Sequence, residues 1–163
     1  MKIGTMTASA ALLTLLMACS KGPDGAAGAD AASHDGHADA AVAALPRTPA
    51  PAGARVFIVS PEDGATVSSP VRVVFGAEGI DVVPAGEKND RGGHHHLLVD
   101  TDLADASVPI PADAQHIHYG QAQTEATIEL APGTHTLQLV MGDYLHIPFD
   151  PVIASPKISV TVN

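Results

Sequence analysis

Short runs of alternating hydrophobic and polar residues fill the C-terminal part of the chain, where proline and glycine separate them. Val71, Val73 and Phe75, for example, alternate with Arg72 and Val74, as expected of a strand with one buried face. No window shows the sustained 3.6-residue periodicity of an amphipathic helix. The pattern predicts strands at Arg55–Ser60, Thr66–Ser68, Val71–Gly76, His95–Asp100, Thr124–Leu130, Thr134–Met141 and Lys157–Val162.

These strands predict one all-β domain from Arg55 to Asn163, folded as an immunoglobulin-like antiparallel β-sandwich. The length of this region is close to the roughly 100 residues of such domains. Ser60-Pro61-Glu62-Asp63-Gly64 predicts a turn, because proline fixes one backbone angle and glycine accepts an unusual one. The longest stretch without a predicted strand, Thr101 to Gln123, is expected to be a functional loop or an irregular crossover.

Residues 1 to 18 are predicted to be a secretory signal peptide. Lys2 precedes an apolar run at Ala8 to Met17 that is too short to span a bilayer. The run ends in Leu16-Met17-Ala18-Cys19, which resembles the lipobox of bacterial lipoproteins, whose cysteine is acylated and becomes the mature N terminus. By the same resemblance, Ser20 after the cysteine favours the outer membrane, facing the periplasm. The expected anchor in the cell envelope is therefore lipid on Cys19.

Residues 19 to 54 are predicted to be this lipidated cysteine followed by a flexible tether. The segment is rich in alanine, glycine and proline, and it has too few large aliphatic residues to offset the entropy of ordering. Its reach as a flexible coil is on the order of 30–35 Å. His34 and His37 are interpreted as polar linker residues, with loose metal scavenging as the alternative.

Charge and cysteine content restrict the possible functions. The chain has 8 lysines and arginines against 18 acidic residues, for a net charge of −10. Binding to nucleic acid is excluded on this basis, because that affinity comes largely from basic side chains that neutralise phosphates. A single cysteine excludes an intramolecular disulfide framework and any cysteine-rich metal site. The 9 histidines are therefore the main candidate chemistry.

Four of these histidines form two His-x-His pairs and are the predicted metal ligands. His94 and His96 share one face of an extended strand, whereas His95 points to the other face with the core residues. His116 and His118 also share a face if their segment is extended. Four imidazole nitrogens suit tetrahedral Zn²⁺, and imidazole also suits Cu(II) in a flatter arrangement. The alternative is that these four residues are merely exposed and polar.

Other residues near these pairs have interpretations of their own. His146 is either an additional loop ligand or part of the loop packing. Asp100 either orients a ligand imidazole or caps the turn after its strand. His135 is predicted to bond back to the chain, as the tyrosine does at the corner of immunoglobulin-like domains. His95 is expected to pack with the core, with its ring hydrogen-bonded.

From Val56 to Val162 the chain resembles a bacterial family known as domain of unknown function 4399. The matching stretches are Ile58 to Ala65, Gly93 to Asp100, Pro109 to Pro111, His116 to Gly120, Gln123 to Glu125, Leu130 to Leu139, Gly142-Asp143, His146 to Pro148 and Pro151-Val152. The resemblance implies a secreted or lipid-anchored envelope protein and implies no particular activity. Many members have histidine where this chain has Phe149, which removes one possible ligand and weakens His146 as a site residue.

Two functions remain as hypotheses. The first is a non-enzymatic envelope lipoprotein whose histidines bind copper or zinc for buffering, sequestration or delivery. The second is a tethered interaction module for an envelope protein or glycan, with structural histidines. Catalysis is disfavoured, because no nucleophile elbow or metalloprotease helix motif is present and Cys19 is committed to lipid. The expected partners are the membrane, through the lipid, and a metal ion, and the sequence identifies no protein partner.

Overall fold

The computed structural model describes residues 45–163, so the predicted signal peptide, Cys19 and most of the predicted tether lie outside the described residues. Within 45–163 there is no helix that is long and apolar enough to cross a membrane. The same residues form nine strands: β1 (Arg55–Ser60), β2 (Thr66–Val67), β3 (Val71–Glu78), β4 (Asp81–Val82), β5 (Gly92–Val99), β6 (His116–Tyr119), β7 (Glu125–Ile128), β8 (Gly133–Gly142) and β9 (Ile158–Val162).

The strands form two sheets around one main hydrophobic core. The smaller sheet has the order β1-β3-β7, and the larger has the order β2-β9-β8-β5-β4, with β6 paired to β5 as well. Val73 and Phe75 of the smaller sheet meet Leu137 and Leu139 of the larger one in this core. The predicted all-β sandwich is confirmed. Two pairings, β2 with β9 and β4 with β5, are parallel and depart from the predicted antiparallel arrangement.

The region from Thr101 to Gln123, predicted to lack a strand, contains β6. In the register between β6 and β5, His118 lies opposite His96 and Ile117 lies opposite Leu97. Ile117 and Tyr119 pack with the main core, and the residues that alternate with them, His116 and His118, are polar. The prediction was wrong here because the strand has four residues, and two of them are histidines that hide the alternation.

Strand β5 begins at Gly92, three residues before the predicted start at His95, and therefore includes His94. The additional pairing comes from β4, in which Asp81 lies opposite Gly92 and Val82 lies opposite Gly93. Glycine has a low strand propensity, so the sequence pattern did not reveal this extension. The predicted alternation of His94, His95 and His96 across the two faces of the sheet follows from the extended backbone.

Contacts with the sandwich begin before the predicted domain boundary at Arg55. Pro49 forms an isolated β-bridge with Asp150, and the Ala50 amide donates a hydrogen bond to the Asp150 carbonyl at 2.8 Å. The Asp150 amide in turn donates to the Thr48 carbonyl at 2.9 Å. These contacts are mostly backbone hydrogen bonds, which do not require large apolar residues, and composition alone gave no indication of them.

Candidate metal centre

Four histidine rings meet on the face of the larger sheet that points away from the main core. The ring centroids of His94, His96, His118 and His146 are separated by 4.8 to 5.9 Å in all six pairs. We call these four residues the histidine cluster. His94 and His96 are fully buried, whereas His118 and His146 are partly exposed. The cluster therefore combines two buried rings with two partly exposed ones.

Strand geometry and pairing place the four rings together. His94 and His96 are two residues apart on β5, so their side chains project from the same face. His118 lies directly opposite His96 in the register between β5 and β6, with ring centroids 5.1 Å apart. His146 follows β8, whose last residue, Gly142, is paired with His94. Three neighbouring chain segments thus contribute rings to one position.

Two glycines leave the space that the rings occupy. A Cβ atom built on Gly120 would lie 2.4 Å from Cε1 and 2.7 Å from Nε2 of His118. A Cβ atom on Gly142 would lie 2.9 Å from Nε2 of His96 and 3.4 Å from the Cα atom of His146. Because real Cβ atoms essentially never approach another atom closer than 3.0 Å, a side chain at Gly120 would displace the ring of His118, and one at Gly142 would displace the ring of His96.

The ring nitrogens of the cluster are close together and poorly satisfied. The Nε2 atoms of His94 and His96 lie 3.1 Å apart, and one nitrogen from each of His94, His96 and His118 lies within 4.8 Å of the others. Nδ1 of His94, Nδ1 of His96 and Nε2 of His118 are buried without a hydrogen-bond partner among residues 45–163. Buried polar atoms are normally paired, so this group of nitrogens requires an explanation.

Burial also makes the rings neutral. Desolvation lowers the pKa of His94 to about 4, and the nearby imidazoles of His146 and His118 contribute, while Asp143 acts in the opposite direction. Desolvation, together with His94 and the other cluster rings, lowers the pKa of His96 to about 2. The pKa of His118 is lowered by desolvation and by the nearby imidazole of His146. Near pH 7 these imidazoles have free lone pairs, which is the form that binds metals.

Asp143 organises the loop that carries His146. Its carboxylate is only 1% exposed, and its Oδ1 accepts hydrogen bonds from the amides of Leu145 and Ile147 at 2.8 and 3.0 Å. Its backbone carbonyl accepts a hydrogen bond from the His146 amide at 2.9 Å. His146 itself has a positive φ of 67°. The sequence pattern did not single out Asp143, because its burial depends on the tertiary fold.

His116, a predicted ligand, does not belong to the histidine cluster. It lies opposite Leu98, two residues before His118 on β6, and it is partly exposed. Its Nδ1 lies 2.9 Å from Oδ1 of Asp113, within hydrogen-bond distance. The structure therefore brings together three of the four predicted ligands, His94, His96 and His118. It adds His146, the predicted additional ligand, in place of His116.

Asp100, predicted either to orient a ligand imidazole or to cap the turn after its strand, contacts no ring of the cluster. It follows the other end of β5 with a positive φ of 55°, and its Oδ1 accepts a hydrogen bond from the Thr136 amide at 2.7 Å. Its Oδ2 accepts one from Nδ1 of His135 at 2.7 Å. The structure thus matches the turn-capping interpretation of Asp100.

His135 and His95 have structural surroundings. Nε2 of His135 donates to the carbonyl of Ala131 at 2.9 Å, which is the predicted bond back to the chain. His95 packs against Phe75 with ring centroids 5.2 Å apart, as predicted for a core residue. The prediction that the His95 ring is hydrogen-bonded is wrong, because both ring nitrogens are buried and lack a partner among the described residues.

Comparison with known proteins gives a family and one distant structural match. A family model described as "Domain of unknown function (DUF4399)" matches residues 73–163, a range that contains the whole histidine cluster. A solved structure of fibronectin(III)-like modules of Clostridium thermocellum CbhA is 16% identical, with a TM-score of 0.32, and the match covers 66% of this chain and 92% of that chain. A search of the curated proteins finds no match.

Proposed function

This chain belongs to the family described as domain of unknown function 4399, and we propose that it is a non-enzymatic metal-binding protein of the cell envelope. The histidine cluster binds one zinc or copper ion, for buffering, sequestration or delivery. The observation that carries the proposal is the convergence of His94, His96 and His118, each with one buried ring nitrogen unpaired within the described part of the chain, beside the ring of His146. A bound cation would take one nitrogen from each ring, which for His94 and His96 are the Nε2 atoms 3.1 Å apart.

The spacing of the rings supports tetrahedral coordination. A metal about 2.0–2.1 Å from each nitrogen would place tetrahedral imidazole centroids roughly 5.2 Å apart, whereas a square arrangement would give about 4.5 and 6.4 Å. Five of the six separations in the cluster lie between 4.8 and 5.1 Å, and the sixth, between His96 and His146, is 5.9 Å. This pattern favours Zn²⁺ over Cu(II) as the preferred ion.

Four nitrogen ligands also favour binding over catalysis. Structural zinc sites are closed by four protein ligands, whereas catalytic sites keep one position open for water or substrate. The buried carboxylate of Asp143 interacts electrostatically with His94, but both of its oxygens accept hydrogen bonds. It is thus committed to the loop and is a poor candidate for a general base.

The alternative, an interaction module with structural histidines, has less support. Of the histidines with structural surroundings, His135 forms hydrogen bonds with Asp100 and Ala131, whereas His95 leaves both ring nitrogens unpaired among the described residues. What favours a metal over structural histidines is that His94, His96 and His118 bring one nitrogen each within 4.8 Å of the others. The net charge of −10 also favours the approach of cations over that of anions. Placement in the envelope rests on the lipobox-like sequence at Cys19, which lies outside the described residues.

Metal titration of the full chain tests this proposal. The protein is stripped of metal and titrated with Zn²⁺ and Cu²⁺ by calorimetry, in a His34→Ala/His37→Ala background that removes the two tether histidines. We expect one ion per chain with a micromolar or tighter Kd, and loss of binding in a His96→Ala/His118→Ala variant. His116→Ala, which alters a histidine of the same strand outside the cluster, is the matched control and should bind normally. Absence of binding, or equal binding by the His96/His118 variant, would contradict the proposal.

A further inference from the structure

The segment just before β1 is fastened to the loop that carries His146. Arg47 donates hydrogen bonds from Nε to the Pro148 carbonyl at 3.0 Å and from Nη2 to the Phe149 carbonyl. Its Nη1 forms an ion pair with Asp150 at 3.2 Å. Backbone hydrogen bonds between Thr48, Ala50 and Asp150 extend this contact. Residues 47–50, which we call the strap, therefore lie along Pro148, Phe149 and Asp150, the residues that follow the loop containing His146.

One side chain of the strap reaches further, to the centre of the loop. The hydroxyl of Thr48 donates a hydrogen bond to Oδ2 of Asp143 at 2.7 Å. The other oxygen of the same carboxylate accepts the amides of Leu145 and Ile147, the two neighbours of His146. Hydrogen bonds to a buried carboxylate are among the stronger ones in proteins, because one partner is charged. The carboxylate of Asp143 thus connects the hydroxyl of Thr48 to the backbone on both sides of His146.

The backbone of His146 is held by two other segments of the chain. The residue adopts a positive φ of 67°, which is uncommon for a non-glycine residue. Its amide donates to the Asp143 carbonyl at 2.9 Å, and its carbonyl accepts the Ile110 amide at 2.8 Å. The residue is therefore fixed by the Asp143 turn and by the strand-free region before β6. The Asp143 turn is the one that Thr48 completes.

From these contacts we infer that Thr48 is a positioning residue for the fourth metal ligand, His146. The inference rests on the proposed metal site and extends it to residues 47–50, which lie within the predicted tether, near its C-terminal end. Thr48 donates a hydrogen bond to the carboxylate of Asp143, and the same carboxylate accepts the amides on either side of His146. These hydrogen bonds orient the loop so that the ring of His146 lies beside the rings of His94, His96 and His118. Residues that orient metal ligands typically contribute about 10–100-fold to metal affinity.

The test compares Thr48→Val, which keeps the shape of the side chain, with Thr48→Ser, which keeps its hydroxyl. Zinc affinity of the full chain in the His34→Ala/His37→Ala background should fall on the order of 10-fold or more in Thr48→Val. Affinity should return in Thr48→Ser. Thr134→Val, at an exposed threonine of β8, is the matched control and should bind like the unaltered chain.

Cobalt absorption gives a readout that a purely structural role of Thr48 would not change. Co²⁺ replacing Zn²⁺ should show a strong four-nitrogen tetrahedral spectrum in the unaltered chain. In Thr48→Val, water should replace His146, and the spectrum should become pH-dependent because metal-bound water ionises near neutrality. In a His146→Ala background, Thr48→Val should have no further effect on affinity or spectrum, since the two changes would remove the same ligand.

The outcomes separate this inference from the proposed function. If the unaltered chain binds neither Zn²⁺ nor Co²⁺, the proposed function fails and the inference fails with it. If the unaltered chain binds but Thr48→Val has the same affinity and spectrum, only the inference is overturned. The inference is likewise overturned if Thr48→Val weakens binding equally with and without His146, because Thr48 would then act on the domain as a whole.

Discussion

The Nε2 atoms of His94 and His96 lie 3.1 Å apart on alternate residues of one strand. A metal about 2.0–2.1 Å from both atoms would subtend an angle of roughly 100° between them, close to the tetrahedral value. The spacing follows from the extended backbone, in which every second side chain projects from the same face. Strand β5 therefore preorganises half of the site before the other two rings are added.

Gly120 is expected to be necessary for metal affinity. The Cβ atom of alanine at this position would lie 2.4 Å from the His118 ring, which must then swing away from the cluster. Gly120→Ala should lower zinc affinity by about 10-fold or more in a calorimetric titration, since one of four ligands is displaced. In a His118→Ala background the same glycine substitution should have little additional effect. Unchanged affinity of Gly120→Ala would show that His118 is not a ligand.

Much of this site could be predicted from the sequence, because strand periodicity is local. The alternation of His94, His95 and His96 required only the recognition of an extended segment. Which of His116 and His118 lies in the cluster could not be predicted locally. It depends on the register between β5 and β6, which places His118 opposite His96. No short-range pattern specifies that register.

The position of His146 shows the same limit in a loop. Its approach to the cluster depends on the buried carboxylate of Asp143 and on Thr48, which is distant in sequence. The overall fold was more accessible, since β1 has the predicted bounds and the core faces of β3 and β8 follow the alternation of their sequences. Strands β4 and β6 were missed because they are short and polar on one face or both.

The metal-free domain should lose stability as the pH is lowered from about 6.5 toward 4. Burial lowers the pKa of His94 and of His95 to about 4 and that of His96 to about 2, whereas the unfolded chain titrates near 6.5. The unfolded state therefore binds more protons in this range, and the free energy of unfolding falls as the pH falls. At pH 5 the loss should be on the order of 1–2 kcal/mol for each buried ring.

Urea unfolding of the metal-free full chain at pH 7 and pH 5 measures this effect. His95→Phe removes one buried imidazole outside the cluster. The difference in unfolding free energy between pH 7 and pH 5 should therefore become smaller by the contribution of one ring. A free energy of unfolding that is equal at the two pH values would mean that the rings are not buried and neutral in the folded state.

Asp100→Asn should affect stability and leave metal binding unchanged. Hydrogen bonds from the His135 ring to Asp100 and to the carbonyl of Ala131 raise the pKa of His135, because both partners accept and the ring must donate from both nitrogens. The stabilisation by a His135 with raised pKa is fully present below about pH 6.5 and disappears as the pH rises through the raised value. The variant should therefore be destabilised more at pH 6 than at pH 8.

Thermal unfolding at the two pH values, together with a zinc titration of the same variant, tests this prediction. Asp100 contacts His135 and Thr136. Weaker zinc binding by Asp100→Asn would contradict this structural role and indicate that Asp100 orients a metal ligand.

Phe149→His should not create a further metal ligand. Phe149 is fully buried in the main core, and a Cβ atom on Gly93 would lie 2.9 Å from its ring and 2.8 Å from Met141. Gly93 alternates with His94, so this contact is on the core side of β5, opposite the cluster. Histidine here should cost about 2–4 kcal/mol of unfolding free energy through a buried polar ring, with zinc affinity unchanged. Phe149→Leu is the control, and tighter zinc binding by Phe149→His would contradict this placement.

X-ray absorption at the zinc edge tests the central claim most directly. The full chain in the His34→Ala/His37→Ala background is loaded with one equivalent of Zn²⁺, and the ligands around the metal are counted. The histidine cluster predicts four imidazole nitrogens at about 2.0–2.1 Å and no sulfur. A coordination shell dominated by oxygen, or the absence of a stoichiometric zinc complex, would contradict a metal site formed by His94, His96, His118 and His146.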